Sequence, residues 1–435
     1  MHPAGWFTIA TSVFLTSMIT SSHKSLVREE LLPVPEKLPT VKELPDPLVM
    51  RDGTRITTRE QWQHKRKPEL KALFQHYMYG YAPAPPKITA TLRSTNDKCL
   101  NGKATLKQIS ITLGPRGCPP IELMVVVPNH RPTAAKPAVF IGMNFGGNHS
   151  VLADPTIELP KSWMPAGPGV TDNHATDAGR GKAADAWAVE HIIDRGYAVA
   201  TFFSGDVAPD RPDFNGGVFP YFPRNGHLNR LPWDWGVIAA WAWGLQRAVD
   251  YLVKDKDIDP QRIILFGHSR NGKAALLAGA FDERVAAIIP HQAGCGGSAP
   301  SRCHNPKAET VTVINNHFPH WFDGNFHQFS GHEEQLPFDQ HELIALCAPR
   351  PVLLSNGSED QWSNPPGQFD MLLAARPVYR LFGVEGMADQ VTEPVMDKRV
   401  GTQLCYYIRD AKHMVDQAYW DTFMDFADQT LPSHK

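Results

Sequence analysis

The 435-residue chain predicts a mostly parallel β-sheet covered by helices on both faces, and three observations predict it. From about residue 138 onward, short apolar runs bounded by Gly, Pro and Asn alternate with helix-length stretches, the pattern of repeated strand–helix units. Ahead of them, two apolar runs follow each other with only turn residues between, as antiparallel strands do. Between them in importance stands residues 262–273, RIILFGHSRNGK, where an apolar strand passes through a sharp turn at Ser269 into a helix.

Composition sets the frame for these elements. A hydrophobic fraction of 42% and a charged fraction of 20% are those of an ordinary globular protein. A formal net charge of −2 leaves no electrostatic footprint for nucleic acid or for an anionic membrane surface, so neither is an expected partner. The length suits one large catalytic domain with insertions, expected to act as a monomer.

The chain starts with an apolar run at residues 6–19, WFTIATSVFLTSMI, followed by Thr20, Ser21 and Ser22. It is too short for a transmembrane span and, although little positive charge precedes it, reads as a signal peptide over residues 1–22 of a secreted or periplasmic protein; a cytosolic chain is the alternative. Residues 23–55 include LPVPEKLPTVKELPDPL, whose prolines exclude a helix and predict an extended arm. Residues 56–435 form the expected catalytic domain. Within it a helix is predicted over residues 59–79, then strands over 106–113, 121–127 and 138–144. Helix 187–194, strand 198–203 and helix 237–253 follow. Strand 262–266 and helix 271–281 flank the Ser269 turn, and strand 285–290 comes next. After a long irregular stretch come helix 342–348, strand 351–355, helix 369–381, strand 404–408 and a closing helix 416–429.

Six cysteines occur: Cys99, Cys118, Cys295, Cys303, Cys347 and Cys405. None forms a C-x-x-C pair, which argues against a zinc ribbon. In an oxidising compartment Cys99–Cys118 and Cys295–Cys303 could each staple a short loop; otherwise all six are inert thiols.

The chemistry concentrates at the Ser269 turn. A strand ending at Gly267, a turn at Ser269 and a helix opening near Gly272 describe a nucleophile elbow, which raises a serine oxygen above the sheet and aims a helix N-terminus at the reacting carbonyl. The spacing is G-x-S-x-x-G, one residue longer than the usual form. The plain alternative is a strand–helix connection with an idle serine. Against it stand the partners a serine nucleophile needs, in the chain order of an α/β-hydrolase: serine, acid, histidine. Strand 351–355 leads into Asn356-Gly357-Ser358-Glu359-Asp360, and strand 404–408 leads into Arg409-Asp410-Ala411-Lys412-His413. With 19 histidines in the chain, it is the place after the last strand that singles out His413. His268, beside the serine, reads as a packing or hydrogen-bonding residue.

From about residue 136 to 431 the chain resembles the bacterial-type glucuronoyl esterases of carbohydrate esterase family 15. The resemblance lies in MNFGGNH (143–149), RGYAVATFFSGD (195–206), DWGVIAAWAWGLQRAVDYL (234–252), GHSRNGK (267–273), AGCGG (293–297), FPHWF (318–322), LPFDQHELIALCAPRPVLL (336–354) and EDQW (359–362). GHSRNGK and EDQW discriminate most. The resemblance implies an α/β-hydrolase fold, Ser269 as nucleophile and His413 as general base. It implies that Arg270 faces the oxyanion, that Lys273 and Glu309 bind sugar hydroxyls and that Trp362 lines the ring; Trp321 is as readily a core aromatic. Fungal members carry the triad acid after the strand that follows the elbow, where this chain has Gln292. An amide brings no charge, so Asp360 is implied to supply it, with Glu359 adjacent, and Gln292 is expected to matter far less.

The implied reaction is hydrolysis of esters of (4-O-methyl-)glucuronic acid, such as the lignin–carbohydrate esters of glucuronoxylan, with no cofactor and no metal. Two alternatives remain at this level. One is an esterase of the same fold acting on acetylated sugars or other carboxylic esters. The other is an inactive carbohydrate-binding protein on this scaffold, which intact Ser269, Asp360 and His413 argue against.

Overall fold

A computed structural model describes Met1 and residues 32–130, 135–222 and 230–431; the signal-peptide expectation falls outside the described residues. From Pro33 on the chain is one unit, built on ten strands in the order β1-β2-β3-β7-β4-β8-β9-β10-β12-β11. These are β1 (Thr89–Cys99), β2 (Ala104–Thr112), β3 (Ile121–Pro128), β4 (Val139–Asn144), β7 (Ala198–Phe203), β8 (Ile263–His268), β9 (Ala287–His291), β10 (Val352–Gly357), β11 (Val400–Gly401) and β12 (Leu404–Arg409). Strands β5 (Val170–Thr171) and β6 (His174–Ala175) form a separate two-stranded ribbon. The stretch β7-β4-β8-β9-β10-β12 is parallel, and antiparallel pairs flank it on both sides.

Burial explains why the parallel strands were readable and one strand was not. β4, β7 and β10 are buried at every residue, as strands covered on both faces must be. β1 is the edge strand, polar and exposed along nearly all its length. It carries no apolar period and forms by pairing with β2.

The two covered faces follow from the period-2 alternation of strand side chains. Trp420 and Phe423, on the closing helix Gln417–Thr430, pack against Phe140 and Phe266, and Ala287 and Ile289 belong to that same core. Ile288, between them, points to the opposite face, where it meets Gly279 of helix Arg270–Phe281 so closely that a Cβ there would lie 2.4 Å from it. No helix among the described residues is long and apolar enough to cross a membrane.

The proline-rich arm is held chiefly by its carbonyls, since proline offers no N–H. Tyr77, Arg302, His341 and Arg66 donate to the carbonyls of Pro33, Val41, Pro45 and Pro47 at 2.6, 3.1, 2.8 and 3.2 Å. The irregular stretch before the helix at Gln340–Ala345 contains a short helix, Val311–His317, capped by Thr310. All six cysteines are free, so neither expected staple forms. The Cys303 thiol contacts the Asn305 carbonyl and the Asn364 amide instead.

Candidate active site

Ser269 sits at φ 59°, ψ −127°, between β8 and the helix it caps. A non-glycine residue in this region is strained and persists only where the surroundings fix it. Here the Ser269 N–H donates to the His291 carbonyl at 2.9 Å, and the Asn271 side chain donates to the Met143 carbonyl at the end of β4 at 3.0 Å. The flanking glycines follow from close approach. A Cβ on Gly267 would lie 2.1 Å from the Asn271 carbonyl oxygen, and one on Gly272 would lie 2.9 Å from that of Gly267. The strand and the helix cross too tightly for side chains, and the first N–H groups of the helix have no acceptor within it.

Four parallel strands end together, and the loops leaving them supply the rest. In the register, His268 is opposite His291, and Gly357 opposite Arg409. The loops after β10 and β12 run against each other: Ser358 donates to Arg409 and Glu359 to Ala411 through their backbones. A Cβ on Gly357 would lie 2.2 Å from the Ala411 oxygen. That contact brings Asp360 Oδ2 to 2.7 Å from His413 Nδ1. Glu359 faces solvent while Asp360 is buried, so the carboxylate on the imidazole is that of Asp360. Burial would raise the Asp360 carboxyl, but the hydrogen bond and charge of His413, with hydrogen bonds from Ser363, hold it below the usual carboxylate range. The ring of His268 lies 4.5 Å from that of His413, centroid to centroid, inclined at 35°. Burial, then the neighbouring His291 and His413, push the His268 pKa well down, which keeps that ring neutral.

Arg270 lines a cleft with Phe145, Trp163 and Phe203 and is tied to a residue that sequence reasoning missed. Asp210, on the loop following β7, pairs with the Arg270 guanidinium and accepts from His320 Nε2 at 2.7 Å and Trp321 Nε1 at 2.8 Å. Its position beyond the carboxyl end of a parallel strand was the available signal. Arg270 also lies 4.9 Å from the Trp321 ring centroid, and Trp321 is itself buried and stacked on Phe318 at 3.7 Å.

Lys273, Glu309 and Trp362 meet close by, with the Lys273 ammonium 5.8 Å from the centroid of the same Trp321 ring. Lys273 is buried, and its Nζ donates to the carbonyls of Ala293 and Cys295, both at 2.6 Å. Glu309 Oε2 lies 3.9 Å from that Nζ. Burial lowers the lysine's pKa and raises the carboxyl's, each opposed by the partner's charge. Glu309 is buried just ahead of the cap of helix Val311–His317. Trp362 is 50% exposed, and its carbonyl accepts from the Glu309 N–H at 3.0 Å. An exposed indole beside a buried lysine and carboxyl offers a ring face and fixed polar partners to one ligand.

Residues 193–383 match the protein-family profile described as "Glucuronyl esterase, fungi". The chain is 42% identical over 391 residues to Carbohydrate esterase MZ0003 of an unknown prokaryotic organism, covering 89% of each chain. It is similar to the solved structure of a promiscuous CE15 esterase from a marine bacterial metagenome, with TM-score 0.82 and 41% identity over 91% of this chain and 99% of that one. A glucuronoyl esterase from Solibacter usitatus gives TM-score 0.82 and 38% identity over 91% and 100% of the two chains.

Proposed function

The chain belongs to carbohydrate esterase family 15, the glucuronoyl esterases, and on that premise we propose that it is a serine esterase that cleaves esters of glucuronic acid and its 4-O-methyl derivative. The observation that carries this reading is the 2.7 Å contact between Asp360 and His413 beside the strained Ser269 turn, with Lys273, Glu309 and Trp362 together on one side.

Ser269 Oγ attacks the uronoyl carbonyl carbon while His413 Nε2 takes the hydroxyl proton, and Asp360 stabilises the imidazolium through Nδ1–H. The negative charge on the carbonyl oxygen develops towards the Arg270 N–H and guanidinium. The tetrahedral adduct collapses, the C–O bond to the alcohol breaks, and His413 returns the proton to the leaving oxygen. Water then attacks the acyl-enzyme by the same proton route, freeing the uronate and Ser269. Trp362 would hold the C–H face of the pyranose, with Lys273 and Glu309 on its hydroxyls. The acyl side would therefore carry most specificity, and the alcohol on the natural ester would be that of lignin on glucuronoxylan. The working partition is a signal peptide over 1–22, an arm over 23–55 and a catalytic domain over 56–435, in a secreted or periplasmic monomer.

A second reading, cleavage of acetylated sugars or other carboxylic esters, draws support from the similarity to an esterase described as promiscuous. Paired assays on benzyl glucuronate and an acetyl ester separate the two. Under the first reading Ser269→Ala abolishes turnover of benzyl glucuronate with the fold intact, and the wild type prefers the glucuronate. Turnover by Ser269→Ala near the wild-type level would remove Ser269 as nucleophile.

A further inference from the structure

Gln292 stands where the resemblance places an acid in fungal relatives, yet its surroundings are built for an amide. It follows β9 directly at φ 47°, another position in the left-handed region that a β-carbon disfavours. Its backbone N–H donates to the Ser355 carbonyl at 3.0 Å, and the residue is 1% exposed. Every polar atom of the side chain is engaged. Nε2 donates to the Lys412 carbonyl at 2.9 Å. Oε1 accepts from the Met414 N–H and from His268 Nε2, both at 3.0 Å.

Lys412 and Met414 are the two chain neighbours of His413. One presents a carbonyl and the other an N–H, so the side chain between them must donate at one end and accept at the other. A carboxamide does both; an ionised carboxylate only accepts and would face the Lys412 oxygen. The preceding residue adds a fourth tie, because His291 Nε2 donates to the Met414 carbonyl at 2.8 Å. Asp360 orients the imidazole of His413 through one ring nitrogen. It does not fix the backbone that carries the ring, and the His413 side chain itself is 42% exposed. The bond to Oε1 also puts the His268 hydrogen on Nε2, which sets the tautomer of the ring lying against His413.

We infer that Gln292 is a positioning residue for the general base: its amide clamps the backbone on both sides of His413 and fixes the His268 ring beneath it. The inference rests on the proposed role of His413. The replacement of an acid by an amide at this position is thus a division of labour. Asp360 brings the charge and Gln292 brings the geometry.

The test uses the full-length protein and benzyl glucuronate, with Gln292→Met, which keeps the volume and loses the hydrogen bonds, and Gln292→Glu, which keeps the shape and loses the donor. At pH 8 both lower kcat on the order of 10²-fold, the cost of a base displaced by about 1 Å, and leave KM within about two-fold. Thermal unfolding and calorimetric binding of glucuronate report whether each variant keeps its fold and sugar site. In a His413→Ala background the same substitutions cost less than about two-fold further, because the residue they act through is gone. Wild-type kcat in a folded Gln292→Met variant overturns the clamp. So does an undiminished loss in the His413→Ala background, which would mark a general packing role. Activity retained by His413→Ala alone refutes the base assignment instead, so the two failures are distinct.

Discussion

Replacing Asp360 by asparagine removes one charge from a nearly unchanged shape, and its cost can be worked from the site. Asp360 Oδ2 lies 2.7 Å from His413 Nδ1, with side chains 5% and 42% exposed respectively. The outer edge of the imidazole is therefore wet, and an effective dielectric near 20 is the appropriate one. Charge centres about 4 Å apart then attract by about 4 kcal/mol, which is about 10³ in rate if the imidazolium exists only in the transition state. An asparagine can also present its NH₂ group to the ring and select the wrong tautomer, which carries the loss towards the roughly 10⁴ known for the equivalent change in a protease triad. Steady-state kinetics on benzyl glucuronate should show kcat falling by 10³–10⁴ with KM nearly unchanged, while Glu359→Gln stays near the wild type. A large loss in Glu359→Gln with a mild one in Asp360→Asn would refute the assignment and move the acid role to Glu359.

Arg270→Ala should lower kcat by on the order of 10²–10³ with a much smaller change in KM; a rise in KM alone would make Arg270 a substrate anchor. Asp210→Asn should reproduce part of that loss and add little to Arg270→Ala, since Asp210 acts by holding the guanidinium. Asp206, in the short helix Ser204–Val207 that follows β7, is buried, accepts from Ser162 at 2.7 Å, and its carboxyl is pushed by burial up to about 7 from 3.8. Between those values the unfolded chain ionises while the folded protein keeps the proton, so stability falls as pH rises, to a penalty on the order of 4 kcal/mol above about pH 7. Asp206→Asn should therefore raise the melting temperature at pH 8 and raise it less at pH 5; an equal gain at both would refute the buried-acid account.

How much of this was legible in the sequence depends on where the determining contacts lie. The parallel core was legible because strands buried on both faces spell continuous apolar runs, as in β4, β7 and β10. β1 was not, because its polar residues adopt an extended shape only through the ladder to β2. At the proposed site, Ser269 stands out by a local motif, and Asp360 and His413 by the ends of the strands they follow. The preference for Asp360 over Glu359 came from the resemblance alone; its physical ground, which of the two adjacent side chains is buried, is visible only in the structure. Lys273 lies in the first turn of its helix, where a lysine is commonly solvated, and only the AGCGG loop folding over it, with two carbonyls on its Nζ, makes it a buried cation. Asp210 and Gln292 act through residues tens to more than a hundred positions away; their places after parallel strands mark them, but no local pattern announces the contacts themselves.

The two carboxylates of the cleft place a constraint on each other. The proposed reaction would create a negative charge on the uronoyl oxygen and a positive charge on His413 in the same step. Asp360 stands behind the cation that forms, but Asp210 stands behind a cation that already exists, and so opposes the oxyanion even as it aims the guanidinium. In the proposed reaction Arg270 paired with Asp210 would act on the oxyanion more as an oriented dipole than as a full charge, with a field that falls off faster with distance. Such a pair discriminates by position: an oxygen close to the guanidinium is stabilised strongly, and one displaced from it much less. The trade is rate against selectivity for acyl groups that seat correctly. It is consistent with a specificity carried by the sugar, because Lys273, Glu309 and Trp362 are what would bring the carbonyl to that one place.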